Sequence, residues 1–259
     1  MNYLEEYYNH YNEEERLLSR NGSVEYLTTM RYIHRYLEGM CDPAVLEIGA
    51  GTGRYSVALA KEGYRVTAVE LIARNLEILR SKLDGTEPVT AMQGNALDLS
   101  ALPDNAYDMT MLLGPMYHLY TREDKLQALG EALRVTRPGG IILVAYCMNE
   151  AAIISYGFLK NNVRELRKNL VTPDWHALSE PKELFELART EDIASLDAEF
   201  PVERLGLIAT DGATKYIREC VDAMDDEVFG LWLDYHFSIC ERQDLVGASN
   251  HTLDILRKK

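Results

Sequence analysis

One stretch constrains this chain more than any other: Val45-Leu46-Glu47-Ile48-Gly49-Ala50-Gly51-Thr52-Gly53-Arg54-Tyr55. An apolar run interrupted by a single carboxylate reads as a buried strand. The three alternating glycines then let the backbone turn sharply and approach a ligand where a Cβ would collide. The helix that resumes beyond them presents unpaired N–H groups and a positive dipole end to that ligand. A nucleotide-like group suits this geometry. The spacing also discriminates between nucleotide loops. A dinucleotide fingerprint would place glycine or alanine at position 54, where the chain has Arg54, and the G-K-[ST] of a phosphate loop is absent.

Strand and helix patterns alternate from residue 44 to 146. Ala44 to Ile48 is the first strand, followed by a helix over Tyr55 to Glu62. A second strand, Arg65 to Val69, ends on Glu70, and a helix over 71–83 carries Leu71, Ile72, Leu76, Leu79 and Leu83. Pro88 to Met92 and Tyr107 to Leu113 are further strands. Thr121 with Asp124 three residues on forms a capping box for a helix through Val135. Arg137-Pro138-Gly139-Gly140 is a tight turn into a fifth strand, Ile141 to Tyr146. This rhythm predicts an α/β fold, a mostly parallel sheet with helices on both faces, whose ligand lies beyond the carboxyl ends of the strands. Upstream, Ser23 after the Asn21-Gly22 turn signal is the expected N-cap of a helix carrying Val24, Leu27, Met30, Ile33 and Leu37. Downstream, Asn149 to Leu170 and Pro181 to Arg189 read as helices. Residues 147–198 form a helical cap inserted into the domain of residues 44–259, and a strand returns at Val202 to Ala209. Residues 1–43 form an N-terminal helical region. Its tyrosines Tyr3, Tyr7, Tyr8 and Tyr11 either pack on the core or close a lid over the ligand.

The chain has 259 residues and a net charge of -14. An acidic surface repels phosphate backbones and anionic lipid, which disfavours nucleic acid and membrane surfaces as partners. No signal-peptide pattern or membrane-length apolar run appears, so a cytoplasmic protein is expected. Cys41, Cys147, Cys220 and Cys240 show no CxxC spacing, and the histidines show no HxH or HxxxH pair, so no metal site is expected.

The ordered motifs resemble those of the class I S-adenosylmethionine-dependent methyltransferases. Glu47-Ile48-Gly49-Ala50-Gly51-Thr52-Gly53 resembles the first motif of that family. Glu70 resembles its ribose-binding acid, Gly94-Asn95-Ala96-Leu97 its adenine segment, and Tyr107 to Gly114 its fourth-strand motif. Leu133 to Gly140 resembles the turn before the fifth strand. Asn95 stands where the family usually has Asp; its carbonyl oxygen is still able to accept a hydrogen bond. The resemblance implies a Rossmann-like seven-stranded sheet in the order 3-2-1-4-5-7-6 with strand 7 antiparallel, strand 6 at 201–209 and strand 7 at about 250–257. It implies S-adenosyl-L-methionine as cofactor and S-adenosyl-L-homocysteine as product. The residues it assigns to the cofactor are Glu47, Gly49, Ala50, Gly51, Thr52, Gly53, Glu70, Leu71, Asn95, Ala96, Leu97, Leu113 and Gly114, joined by Tyr11 and Arg20.

Glu47, in an apolar strand, needs partners. The expected ones are glycine-loop N–H groups or the cofactor's ammonium. Methyl transfer from a sulfonium chiefly requires alignment and exclusion of water; a base is needed only where the acceptor loses a proton. The segment after the fourth strand offers His118 and Tyr117 as catalytic candidates. Tyr117, Arg31, Tyr146 and His176 are candidates for holding the acceptor. The acidic surface and the cap point to a small-molecule O, N or C nucleophile as partner, with the chain a monomer or homodimer. A protein methyltransferase and a non-catalytic S-adenosylmethionine-binding regulator are the alternatives.

Overall fold

The computed structural model describes residues 3–10, 19–183 and 185–259. Among the described residues eight strands form one sheet: β1 (Ala44–Ile48), β2 (Arg65–Glu70), β3 (Val89–Gln93), β4 (Tyr107–Leu112), β5 (Thr136–Met148), β6 (Leu187–Ala188), β7 (Val202–Ala209) and β8 (His251–Lys258). The order is β3-β2-β1-β4-β5-β8-β7, with β6 paired to β5 off this path. The strands from β3 to β5 along this order run parallel, and β8 is antiparallel to both of its neighbours. This is the expected order, with the last two strand numbers raised by one because a two-residue strand intervenes. The extra strand has a physical reason. β4 ends opposite Val144, which leaves the edge of β5 beyond it open, and Leu187 and Ala188 pair there with Cys147 and Met148. Capping such an edge removes unpaired backbone groups.

Helices cover the sheet: α1 (Tyr3–His10), α2 (Arg20–Leu37), α3 (Arg54–Lys61), α4 (Ala73–Ser81), α5 (Arg122–Val135) and, further on, α6 (Asp226–Ile239). The core is the apolar interior of this assembly. Strand β4 is buried at every position, and Leu46, Met109, Met111, Leu112 and Leu143 are inaccessible to solvent. Such residues each contribute on the order of 1.5–3 kcal/mol by burial. Thr121 caps α5 as expected, accepting from the Asp124 N–H at 3.1 Å.

Four local expectations are corrected. The N-cap of α2 is Ser19, not Ser23: Ser19 Oγ accepts from the Gly22 N–H at 3.2 Å. Asn21 and Gly22 therefore lie inside the helix, where the Asn21 amide is held by Asp222, and the Ser23 hydroxyl instead donates to the Arg20 carbonyl. Arg137 to Gly140 is not a separate turn. It is a bulge within β5, since Tyr107 pairs with Thr136 and Met109 already with Ile141. Asn149 to Leu170 is not one helix; a short α-helix runs into a π-helical turn (Ile153–Leu159) and breaks at Asn161, whose φ is 58°, before Val163–Asn169. Pro181 to Arg189 is not a helix. A single 3-10 turn (Pro181–Glu183) precedes extended chain, because Glu186 is tied to the Tyr117 carbonyl and to Lys125 while the next two residues pair with β5.

Among the described residues no helix is long and apolar enough to cross a membrane.

Candidate active site

A cavity of about 240 Å³ opens at the carboxyl ends of β1, β2 and β4, where the strand order turns from β2-β1 to β4-β5. Its first wall is the glycine loop. Gly49 and Ala50 both donate to the Val69 carbonyl, at 2.8 and 3.1 Å, which clamps the loop against β2. Gly49, Gly51 and Gly53 all have positive φ, a region that other residues rarely adopt. A Cβ at Gly49 would lie 2.7 Å from Pro115 Cδ, and one at Gly53 2.5 Å from Leu79 Cγ. A Cβ at Gly51 would meet no protein atom within 4 Å, so at the cavity the loop offers bare backbone with space in front of it.

Two buried carboxylates flank the loop. Glu70, at the end of β2, accepts from the Gly51 N–H at 2.7 Å through Oε2 and from the Ile72 N–H at 2.8 Å through Oε1. It thereby joins the loop to the start of α4. Glu47, 2% exposed on β1, accepts from both the backbone N–H and the hydroxyl of Ser56. Its partners are thus on α3 and not in the glycine loop, a correction that follows from its place one strand position before the turn. Burial pushes the Glu47 carboxyl up to about 8; the Ser56 hydrogen bonds pull it down, and the nearby Glu70 adds to the rise.

The remaining walls come from three more segments. Gly94, Asn95, Ala96 and Leu97 follow β3, with Asn95 Oδ1 accepting from the Leu97 N–H at 3.0 Å. After β4 come Leu113 and Gly114, then a 3-10 turn over Pro115–His118. The Tyr117 hydroxyl donates to the Leu113 carbonyl at 3.1 Å. Helix α1 lies across this turn: Leu4 and Tyr8 line the cavity, and the Tyr8 hydroxyl is 2.9 Å from His118 Nε2. Tyr7, Tyr8, Tyr117, His118 and Phe185 pack edge-on or tilted into one aromatic cluster.

Arg54, the first residue of α3, also lines the cavity. Its guanidinium stacks 4.3 Å above the Tyr26 ring, and its buried Nε has no hydrogen-bond partner among the described residues. Away from Glu70, toward β5 and β8, the lining is Ala145, Thr210, His251 and Thr252, with Glu25 and Thr29 from α2. His251 Nδ1 lies 2.9 Å from Asp211 Oδ2 and 3.3 Å from Glu25 Oε2.

The cavity thus gathers Glu47, Gly49, Ala50, Gly51, Thr52, Glu70, Leu71, Asn95, Ala96, Leu97, Leu113, Gly114, Tyr117 and His118. Gly53 stands just behind it as the N-cap of α3. Other candidates are placed elsewhere. Arg20 pairs with Asp226 at 2.7 Å and lies over Phe229, and Arg31 stacks on Phe237. His176 faces Asp192 at 3.2 Å. Tyr146 is buried on the other face of β5 from Ala145, toward Asp254, Asp197 and Arg204, as strand alternation requires. Tyr11 lies outside the described residues. Among the lining residues that the sequence does not single out for the site are Arg54, Glu25, Thr210 and His251. Tyr8, which also lines the cavity, belongs to the Tyr-rich start, expected either to pack on the core or to close a lid over the ligand.

Residues 46–144 match the methyltransferase domain family. The chain carries a class I S-adenosylmethionine-dependent methyltransferase domain. A ubiquinone biosynthesis O-methyltransferase of Methylocella silvestris is 24% identical over 181 residues, covering 70% of this chain and 68% of the relative. A cypemycin N-terminal methyltransferase from Streptomyces is 37% identical over 109 residues, or 41% of this chain and 42% of the relative. The chain spans only 36% to 42% of the length of several methyltransferase relatives. A protein of Pyrococcus horikoshii of known structure superposes with a TM-score of 0.60 at 14% identity, over 98% of this chain and 99% of its own. The likeness of fold therefore extends well beyond the segment that the sequence match covers.

Proposed function

We propose that the chain transfers a methyl group from S-adenosylmethionine to a small-molecule O, N or C nucleophile. The observation that carries this reading is one cavity that joins a nucleoside-type end to an aromatic, histidine-bearing end. At the first end the bare backbone of Gly51, the anchored carboxylate of Glu70 and the 94–97 segment fit a ribose and a base. Glu70 is an acceptor suited to paired hydroxyls. Arg54, whose Nε lacks a partner among the described residues, fits a carboxylate, and Glu47 fits an ammonium. The cofactor supplies a methyl group already activated by a sulfonium charge.

The chain's own residues then have three tasks. Leu113, Gly114 and Tyr117 shape the floor on which an acceptor lies beside the cofactor. Tyr8 and the rest of α1 close over it and exclude water, as a lid formed by the 1–43 region, with residues 147–198 as the cap. His118, held by the Tyr8 hydroxyl, takes a proton from an acceptor that must lose one. The Methylocella relative, named for O-methylation in ubiquinone biosynthesis, agrees with a small acceptor, as does the acidic surface. A thermal-shift titration with S-adenosylmethionine tests the reading. A saturable rise in Tm, lost in Glu70→Ala, is expected; no shift, together with no heat of binding, would sink it.

A further inference from the structure

At the end of the cavity away from Glu70 three ligand-type side chains converge from distant parts of the chain. Glu25 comes from α2, Asp211 from the loop after β7 and His251 from the first position of β8. One donor atom of each lies within 4.8 Å of the other two. We propose that Glu25, Asp211 and His251 bind a divalent cation of the Mn²⁺ or Zn²⁺ class at the acceptor end of the cavity.

The geometry suits an ion. Ligand atoms held about 2.1 Å from a metal at angles of roughly 90–109° are about 3.0–3.4 Å apart. His251 Nδ1 stands 2.9 Å from Asp211 Oδ2 and 3.3 Å from Glu25 Oε2. The same Nδ1 also lies 2.9 Å from Asn250 Nδ2. An ion in place of a proton on Nδ1 engages this nitrogen and both carboxylate oxygens, and the displaced proton leaves to solvent. The charges also match: a neutral imidazole and two carboxylates carry two negative charges, which a divalent cation neutralises. One imidazole with two carboxylates suits manganese or zinc better than a soft metal.

The supporting shell is built. Asp211 Oδ1 accepts from the Ser249 hydroxyl and from the backbone N–H groups of Asn250 and His251, at 2.8, 2.9 and 3.0 Å. These bonds fix the carboxylate and leave Oδ2 for the site, as outer partners do around metals. A separate observation points to a ligand in the same place. Thr210 is 2% exposed and lines the cavity beside this cluster, yet its hydroxyl has no hydrogen-bond partner among the described residues. An ion-bound water or an acceptor oxygen would give that buried hydroxyl the partner it lacks. Glu25 and His251 both face the cavity, so the ion would polarise an acceptor hydroxyl or carboxylate there and lower its pKa. That last role rests on the methyltransferase reading; the binding does not.

The test uses the full chain stripped with a chelator and titrated calorimetrically with MnCl₂ and, separately, ZnCl₂. One equivalent is expected, with affinity weakened about 100-fold in both His251→Gln and Glu25→Gln. Glu25→Gln serves as the second variant because Glu25, unlike Asp211, does not hold the β8 turn. Absence of stoichiometric binding, or binding unchanged in both variants, would overturn the site. A parallel titration with S-adenosylhomocysteine separates the two readings. Metal binding without it overturns the methyltransferase proposal alone, and its binding without metal overturns this site alone.

Discussion

Replacing Glu47 by glutamine isolates one charge at the floor of the cofactor cavity. Burial holds the Glu47 carboxyl at about 8, against an ordinary value of 4.5. At pH 7 it is therefore about 90% protonated in the free protein. A cofactor whose ammonium is to face it must first expel that proton. The penalty is on the order of 1 kcal/mol at pH 7 and about twice that at pH 6, since each unit is worth about 1.36 kcal/mol. Affinity for S-adenosylhomocysteine should accordingly rise about tenfold from pH 6 to pH 7 and flatten above pH 8, with a proton released on binding. A glutamine amide has no proton to lose, so Glu47→Gln should bind with a pH-independent affinity matching the wild type near pH 6 or weaker. Calorimetry in two buffers of different ionisation enthalpy reads both the affinity and the proton. The folding side has the opposite sense. A carboxyl raised on folding is stabilising while protonated, so its contribution is present below pH 4.5 and is lost as the pH rises toward 8. Glu47→Gln should thus become relatively more stable than the wild type across that window. A wild-type affinity that is flat between pH 6 and 8, or a slope that survives in the variant, would refute the assignment of Glu47 to the ammonium.

Ser56→Ala removes a donor that pulls the Glu47 carboxyl down, so the pH dependence of cofactor binding should move to higher pH, read by the same calorimetry. Gly49→Ala and Gly51→Ala both place a side chain at positive φ, at about 1–2 kcal/mol each. Only the first also collides with Pro115, so it should lower the denaturation midpoint more, while Gly51→Ala should chiefly weaken cofactor binding by filling the space before the loop. Tyr8→Phe keeps the ring packing but removes the hydroxyl at His118 Nε2. Turnover should fall about 3–10-fold, the value of one hydrogen bond, with a shifted pH–rate profile once an acceptor is in hand.

The half of the site that the sequence discloses is the half built locally. Glu47, the glycines, Glu70 and the 94–97 segment each follow directly from a strand end, and strand ends are fixed by short apolar runs and turns. The sheet order is implied by the family resemblance of the ordered motifs and not by local pattern, and it omits a two-residue strand too short to leave a pattern. Pro181 to Arg189 misleads because its composition is helical, while Glu186 to Ala188 are held by distant partners: the edge of β5, the Tyr117 carbonyl and Lys125. The α2 cap falls at Ser19 and not at Ser23 because Asn21 and Gly22, a turn signal in sequence, lie inside the helix, where Asn21 donates to Asp222. Glu25, Asp211 and His251 have no spacing to detect, since α2, β7 and β8 meet only in the folded chain. Arg54 is visible in the motif, but that its Nε has no partner among the described residues is a property of the packed cavity.

The most direct test of the account is a structure of the chain bound to S-adenosylhomocysteine. The account predicts the product along the glycine loop, its ribose hydroxyls on Glu70, its adenine edge at Asn95 to Leu97, its carboxylate at Arg54 and its sulfur toward Tyr117 and His118. A product bound outside this cavity, or one whose ribose leaves Glu70 without a contact, would contradict it.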